Sequence, residues 1–183
     1  WPELAGLGWL GLCLPESLGG SGLGVAEAGV LPEQCGRALA PEPLVAGALL
    51  PAWALLHGES SVLRERWLPA LARGEAQLAL AADDDAMLRA EPRGAGLVLE
   101  GCRRFVAGAA GADAFVVAAQ APQGSVLLLV EADQRGLQLA TQPRVDGGFW
   151  GELRFEAAEV GPAQVVAGAE RARAVLDRAL DLA

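Results

Sequence analysis

Histidine, serine, clustered carboxylates, cysteine and glycine-rich loops are the features most able to carry chemistry, and this sequence holds few of them. The single histidine, His57, closes an apolar run beside Gly58, a place that suits a C-terminal helix cap better than a general base. Ser17, Ser21, Ser60, Ser61 and Ser125 fall in loop or cap contexts, and none lies in a G-x-S-x-G motif, so no hydrolytic triad is supported. Asp83-Asp84-Asp85 offers hard oxygen ligands for a divalent cation. It lacks the alternating spacing that lets such ligands converge, and it reads as a solvated turn after a strand. The stretch Gly19-Gly20-Ser21-Gly22-Leu23-Gly24 precedes a helix, where backbone N–H groups can cradle a phosphate. A dinucleotide fingerprint follows a strand, however, and here a helix comes before, so a tight inter-helix connection is the better reading. Cys13, Cys35 and Cys102 are odd in number and form no C-x-x-C. They read as reduced thiols of a cytoplasmic protein, and no metal site is expected.

Charge narrows the partners. The net charge is −9 and the isoelectric point about 4.6, so nucleic acid and anionic membranes, which need clustered cations, are not expected partners. All 14 basic residues are arginines. Their only adjacent pair, Arg103-Arg104, would point to opposite faces of a strand. The apolar run Leu44–Leu56 is too short to span a bilayer and contains Pro51. The chain opens on Trp1-Pro2-Glu3 and stops within a helical pattern, so both ends read as cut.

Two kinds of element must position whatever site exists. Up to about residue 73 the pattern is helical: Glu3–Leu10, Val25–Leu39 with a kink or late start at Pro32, Leu44–Leu56, and a helix capped by Ser60 or Ser61 and ended by Pro69. After Gly74 come short runs broken by turn residues: Ala76–Ala81, Gly96–Glu100, Arg103–Ala107, Ala114–Ala119, Ser125–Glu131, Leu137–Thr141 and Glu152–Glu156. The second and third of these read as a hairpin turning at Gly101-Cys102. From Ala163 the helical period returns, with Val166, Ala169, Ala172, Val175, Leu176, Ala179 and Leu180 on one stripe. The fold class expected is α+β. A helical segment (1–73) leads into an antiparallel β-barrel or sandwich (74–161), and one C-terminal helix (162–183) exposes its apolar stripe.

Several segments in this order resemble the acyl-CoA dehydrogenase family. Pro15-Glu16-Ser17-Leu18-Gly19-Gly20-Ser21-Gly22 resembles the family's P-E-x-x-G-G-x-G loop. Arg66-Trp67-Leu68-Pro69-Ala70-Leu71-Ala72-Arg73-Gly74-Glu75 is similar to its junction into the β-domain, R-W-L-P-x-L-x-x-G-E. Leu99-Glu100-Gly101-Cys102-Arg103-Arg104-Phe105-Val106-Ala107-Gly108-Ala109 resembles L-x-G-x-K-x-W-I-T-N-G. Ala112-Asp113-Ala114 opens the strand that follows, and Arg154-Phe155 with Val160–Gly168 resembles the crossover into a C-terminal helical bundle.

The resemblance implies an FAD-dependent oxidoreductase of fatty acid metabolism that removes the α- and β-hydrogens of an acyl-CoA thioester, working as an oligomer of itself or with a sister subunit. It places Leu78, Leu80, Ala81, Ala82, Phe105, Val106 and Ala107 at the flavin and Met87 at the substrate. It also places the family's glutamate base in a C-terminal domain, so that no catalytic residue is assigned within this chain and Glu131, Glu152, Glu156 and Glu159 read as surface carboxylates. The family's threonine and glutamate become Ala81 and Ala82 here, its loop glycine-serine is gone, and its W-I-T becomes Phe105-Val106-Ala107. These departures imply a weakened FAD site. They also raise a second reading, in which the chain is a non-catalytic partner supporting a catalytic sister. A flavin monooxygenase on the same fold is a third.

Overall fold

The computed structural model describes residues 1–82 and 88–181. The acidic run Asp83–Asp85 and Met87 lie outside the described residues. The helices are α1 (Pro2–Gly6), α2 (Val25–Arg37), α3 (Leu50–His57), α4 (Ser61–Ala72) and α5 (Ala169–Leu180). The strands are β1 (Leu78–Ala81), β2 (Leu88–Arg93), β3 (Gly96–Ala107), β4 (Ala114–Ala121), β5 (Gly124–Glu131), β6 (Leu137–Pro143), β7 (Phe149–Val160) and β8 (Val165–Ala167). They form a mostly antiparallel sheet in the order β6-β7-β3-β2-β4-β5-β8, with β1 parallel to β4 off that path. The sheet does not close on itself, so the α+β expectation resolves to a sandwich and not a barrel.

Alternation along β4 builds two cores. Ala114, Val116 and Ala118 face the helices, together with Leu78 of β1 and Leu127 and Leu129 of β5. Phe115, Val117 and Ala119 face the other way, into a core shared with Leu99, Val106, Leu153 and Phe155. A strand buried on both faces reads as a continuous apolar run, which is what Ala114–Ala119 shows. The layers are therefore helices, the β1/β4/β5 part of the sheet, and the β3/β7 part folded over it.

Two prolines sit inside helices instead of ending them. α4 runs through Pro69 to Ala72. A helical proline costs about 3 kcal/mol, but continuation buries Leu68 and Leu71 completely, worth about 1.5–3 kcal/mol apiece, and burial wins. Likewise α2 passes through Pro32 without starting late. The run Leu44–Leu56 is one π-helical turn (Val45–Leu49) leading into α3, with Pro51 in that helix's first turn.

The expected hairpin at Gly101-Cys102 is not formed. Gly101 takes φ +124° inside the continuous strand β3, at a shift in the pairing with β7 between Leu99 and Gly101. It is a bulge glycine, not a turn glycine. The turn lies earlier, where Gly94-Ala95 joins Arg93 to its partner Gly96 and Gly94 has φ +60°.

The last helix is also placed otherwise than expected. Val165–Ala167 pairs with β5 as a strand, and α5 starts only at Ala169. Most of its stripe is buried: Ala172, Val175, Leu176 and Ala179 lie in the core shared with α3, α4 and β5, and Leu180 alone among its large apolar members stays exposed. Glu59 makes this possible. Its N–H donates to Val166 O at 2.7 Å, and its carboxylate accepts from Gly168 N at 2.7 Å, satisfying the N-terminus of α5.

Ser60 caps α4, its Oγ accepting from Leu63 N at 3.2 Å. Ser60→Ala is expected to cost about 1 kcal/mol, seen as a lower urea midpoint with an unchanged slope.

His57 makes no cap bond to α3's last carbonyls. It lies edge-on to Trp53 at 4.8 Å, and its Nδ1 is 3.5 Å from Arg178 Nη1 on α5. Its Nε2 is buried without a partner among the described residues. Burial, then the charges of Arg178 and Arg64, hold its pKa below the ordinary 6.5. The unfolded chain therefore takes up a proton first as pH falls. The stability tied to His57 is complete above pH 6.5 and is lost as pH drops from there through the lowered folded value. His57→Gln, which removes the sole histidine, is expected to flatten this part of the stability curve between pH 7.5 and 5.5, read from urea midpoints.

Candidate functional site

β3 is bent near its end. The pairing with β7 shifts again between Arg103 and Val106, and Phe105 adopts φ +52°, a region that aromatic residues rarely enter. The bulge turns the Phe105 ring outward, leaving the residue 64% exposed. Val106 next to it is buried in the sandwich core. Arg103 points inward and donates through Nε to Ala118 O at 2.8 Å, while Arg104 points out, as strand alternation requires.

Phe105 has a prop. Trp150 of β7, the register partner of Ala107, meets it edge-to-face at 6.1 Å and 82°. Arg144 lies over the other ring, its guanidinium carbon 4.1 Å from the Trp150 centroid. Asp146 pairs with Arg144 at 2.5 Å and accepts from Gly148 N at 3.1 Å. The Gly148 bond first, and Arg144's charge after it, hold the Asp146 carboxyl below its usual range.

Ala107 opens onto a groove of about 800 Å³ between the stretch that links α2 to the π turn, the Gly108–Ala110 turn and the Arg144–Phe149 loop. Leu39, Pro43, Val145 and Phe149 give it apolar walls. Leu39 and Val145 are exposed, and Leu39 holds φ +53°. Gln77 lies at its edge, donating to Gly108 O at 3.0 Å and Ala110 O at 3.3 Å.

The expected site residues separate by exposure. Leu78 and Ala81 are sealed in opposite cores and present no surface to a ligand. Leu80 and Ala82 are half-buried against the helical core. Phe105 and Ala107 face outward, and Val106 anchors the strand between them. Arg144, Trp150 and Gln77 were missed by sequence reasoning. Their pairing with residues 105–110 is long-range, and only the Phe149-Trp150 aromatic pair hinted at it.

A flat ring system fits part of this arrangement. Phe105 is an exposed aromatic shelf, and the bulge sets Arg104 and Phe105 between the paired positions Arg103 and Val106. Side-chain hydroxyl donors and carboxylate acceptors are missing at Ala81, Ala82 and Ala107. Among the described residues no cluster of three His, Cys, Asp or Glu side chains suits a metal ion. Glu131, Glu152 and Glu159 are engaged at the surface with Arg66, Arg154 and Arg93. No helix among them is long and apolar enough to cross a membrane.

The gly-rich loop is not an anion cradle. Gly20 packs its α-carbon face onto the carbonyls of Leu14 and Gly11, which accept from Gly22 N and Ser21 N. The loop is a tight connection, and the N–H groups of Gly19 to Leu23 donate internally, to carbonyls of residues 11–16.

Comparison with known proteins bears on this site. Residues 1–75 match the family model "Acyl-CoA dehydrogenase, N-terminal domain". The acyl-CoA dehydrogenase FadE27 of Mycobacterium tuberculosis is 32% identical over 173 residues, covering 93% of this chain and 46% of that protein. A crystal structure of the ChsE4–ChsE5 complex, also from Mycobacterium tuberculosis, superposes with a TM-score of 0.87 at 31% identity, over 96% of this chain and 49% of that one. A steroid acyl-CoA dehydrogenase variant, Tcur3481–Tcur3483, gives 0.86 at 33% identity, over 100% and 50%. The chain thus spans about half the length of the curated relatives it matches.

Proposed function

Because the chain belongs to the acyl-CoA dehydrogenase family, we propose that it supplies the sheet side of a flavin and acyl-CoA site in an enzyme that oxidises the Cα–Cβ bond of a thioester. The observation that carries this is the Phe105 shelf: a strained, outward-turned aromatic on a bulge, two residues from Ala107 in the wall of the groove. FAD, when bound, supplies the acceptor for the β-hydride. Phe105 would hold the ring by stacking, and the Arg104–Phe105 backbone would meet its polar edge. Ala107 and the apolar groove walls would meet the acyl thioester, and a ligand covering them would displace water, which strengthens every hydrogen bond polarising its carbonyl. The α-proton needs a base, and we assign none within this chain.

A cytoplasmic setting and an oligomer of like or sister subunits are parts of the same proposal. Three free cysteines agree with the first, and the two-protein names of the similar structures agree with the second.

One observation favours a second reading. With Leu78 and Ala81 sealed, and no side-chain donor at Ala82 or Ala107, the chain could serve as the supporting partner of a catalytic sister. Anaerobic addition of an acyl-CoA to the FAD-loaded full-length protein decides between them. Bleaching of the flavin near roughly 450 nm, where oxidised flavins absorb, is expected if this subunit is catalytic. A flavin that bleaches only when the sister subunit is present supports the second.

A further inference from the structure

The groove's geometry depends on contact between two layers that are joined by few covalent links, and one side chain spans the joint. Gln77 leads into β1. Its main chain is clamped at both ends of the peptide: Gln77 N donates to Asp113 Oδ2 at 2.8 Å, and Asp113 N donates back to Gln77 O at 2.8 Å. With its backbone held this way, its carboxamide Nε2 reaches the Gly108 and Ala110 carbonyls at 3.0 and 3.3 Å. Gly108 follows Ala107 directly. It takes φ +73°, and a Cβ there would stand 3.2 Å from Gly47 N and 3.3 Å from Ala46 C. The β3–β4 turn is thus pressed against the π-helical turn of the helical layer. π-Helical turns are rare and concentrate where backbone geometry serves a site. Gly47 within that turn is itself buried, and a Cβ there would lie 3.6 Å from Gln77 Nε2.

We propose that Gln77 is a positioning residue of the groove: its carboxamide docks the Gly108–Ala110 turn on the Val45–Leu49 turn, and so sets where the Phe105–Ala107 end of β3 stands relative to the helical wall. Gln77 touches neither ring nor thioester in this assignment and acts through Gly108. The inference rests on the flavin site proposed above.

The test uses the full-length protein, with FAD titrated into the apoprotein and KM and kcat measured with an acyl-CoA. Gln77→Leu keeps an uncharged side chain, one atom shorter, and removes both N–H donors that reach Gly108 O and Ala110 O. Gly108→Ala keeps Gln77 and forces a methyl into the joint, and it carries the test if Gln77→Leu does not fold. Ser60→Ala, which weakens a helix cap outside the groove, shows what lost stability alone does. Either groove variant is expected to raise the FAD dissociation constant about tenfold, to shift the bound flavin's visible band, and to raise KM more than it lowers kcat. Ser60→Ala is expected to leave all three near wild type. If the groove variants behave as Ser60→Ala does, Gln77 is a structural staple only and the proposal is overturned. A wild-type protein that takes up no FAD overturns both this inference and the flavin site, and the wild-type arm alone distinguishes that result.

Discussion

Gly20→Ala is expected to remove most of the protein's folding stability. A Cβ at Gly20 would lie 2.1 Å from Leu14 O and 2.4 Å from Gly11 O. Neither carbonyl can step aside freely, because Leu14 O accepts from Gly22 N at 2.8 Å and Gly11 O from Ser21 N at 3.1 Å. Relieving the overlap would break these bonds and shift the loop off Leu10 and Leu14, both buried in the helical core. A loss of about 3 kcal/mol or more is expected, against a total of about 5–15 kcal/mol for a domain. Gly19→Ala is the informative contrast. Gly19 has φ +83°, but its Cβ would meet only Ala72 Cβ at 3.7 Å, so the cost is the left-handed strain of about 1–2 kcal/mol. Urea unfolding of the two variants side by side measures the difference. Equal midpoints would show that the loop can move and that the second glycine has no packing role.

Phe105→Ala is expected to act in the opposite way, sparing the fold and removing the ligand. The ring contributes little to either core, since the residue is mostly exposed, and a positive φ is strained for phenylalanine. Replacing it by a smaller residue, or by glycine, which accepts that backbone freely, should leave the apoprotein's melting temperature unchanged or slightly higher. FAD affinity should fall by about tenfold to a hundredfold, as loss of an aromatic stacking partner together with its buried area implies. Titration of FAD into wild-type and variant apoprotein, followed by flavin fluorescence, gives the number. An unchanged dissociation constant would mean that Phe105 is not where the ring rests.

Local chemistry carried much of the fold. β4 and β5 were readable as unbroken apolar runs, and the Ser60 cap as a serine ahead of a helix. What failed was decided by tertiary burial. Pro69 looked like a stop because proline usually ends helices, yet Leu68 and Leu71 are both fully buried beyond the reach of that rule. Gly101 looked like a turn because glycine punctuates turns, but a bulge asks for the same positive φ. The stripe on α5 looked exposed because its partners, α3 and β5, are distant in sequence, while Glu59 bonds the α5 N-terminus and a shared apolar core joins the three. The site shows the same division. Phe105-Val106-Ala107 was visible as a contiguous motif, whereas Trp150, Arg144 and Gln77 reach it through pairings more than thirty residues away or across the layer joint. Leu78 and Ala81 stood in the expected segment, but strand alternation and the second layer bury both.

The central claim is that this chain forms one wall of a flavin site, and its most direct test is the visible spectrum of the full-length protein purified without added cofactor and then given FAD. Absorption bands near roughly 370 and 450 nm that stay with the protein through gel filtration, and that weaken in Phe105→Ala, are the predicted result. A colourless protein that retains no FAD when it is supplied would contradict the account.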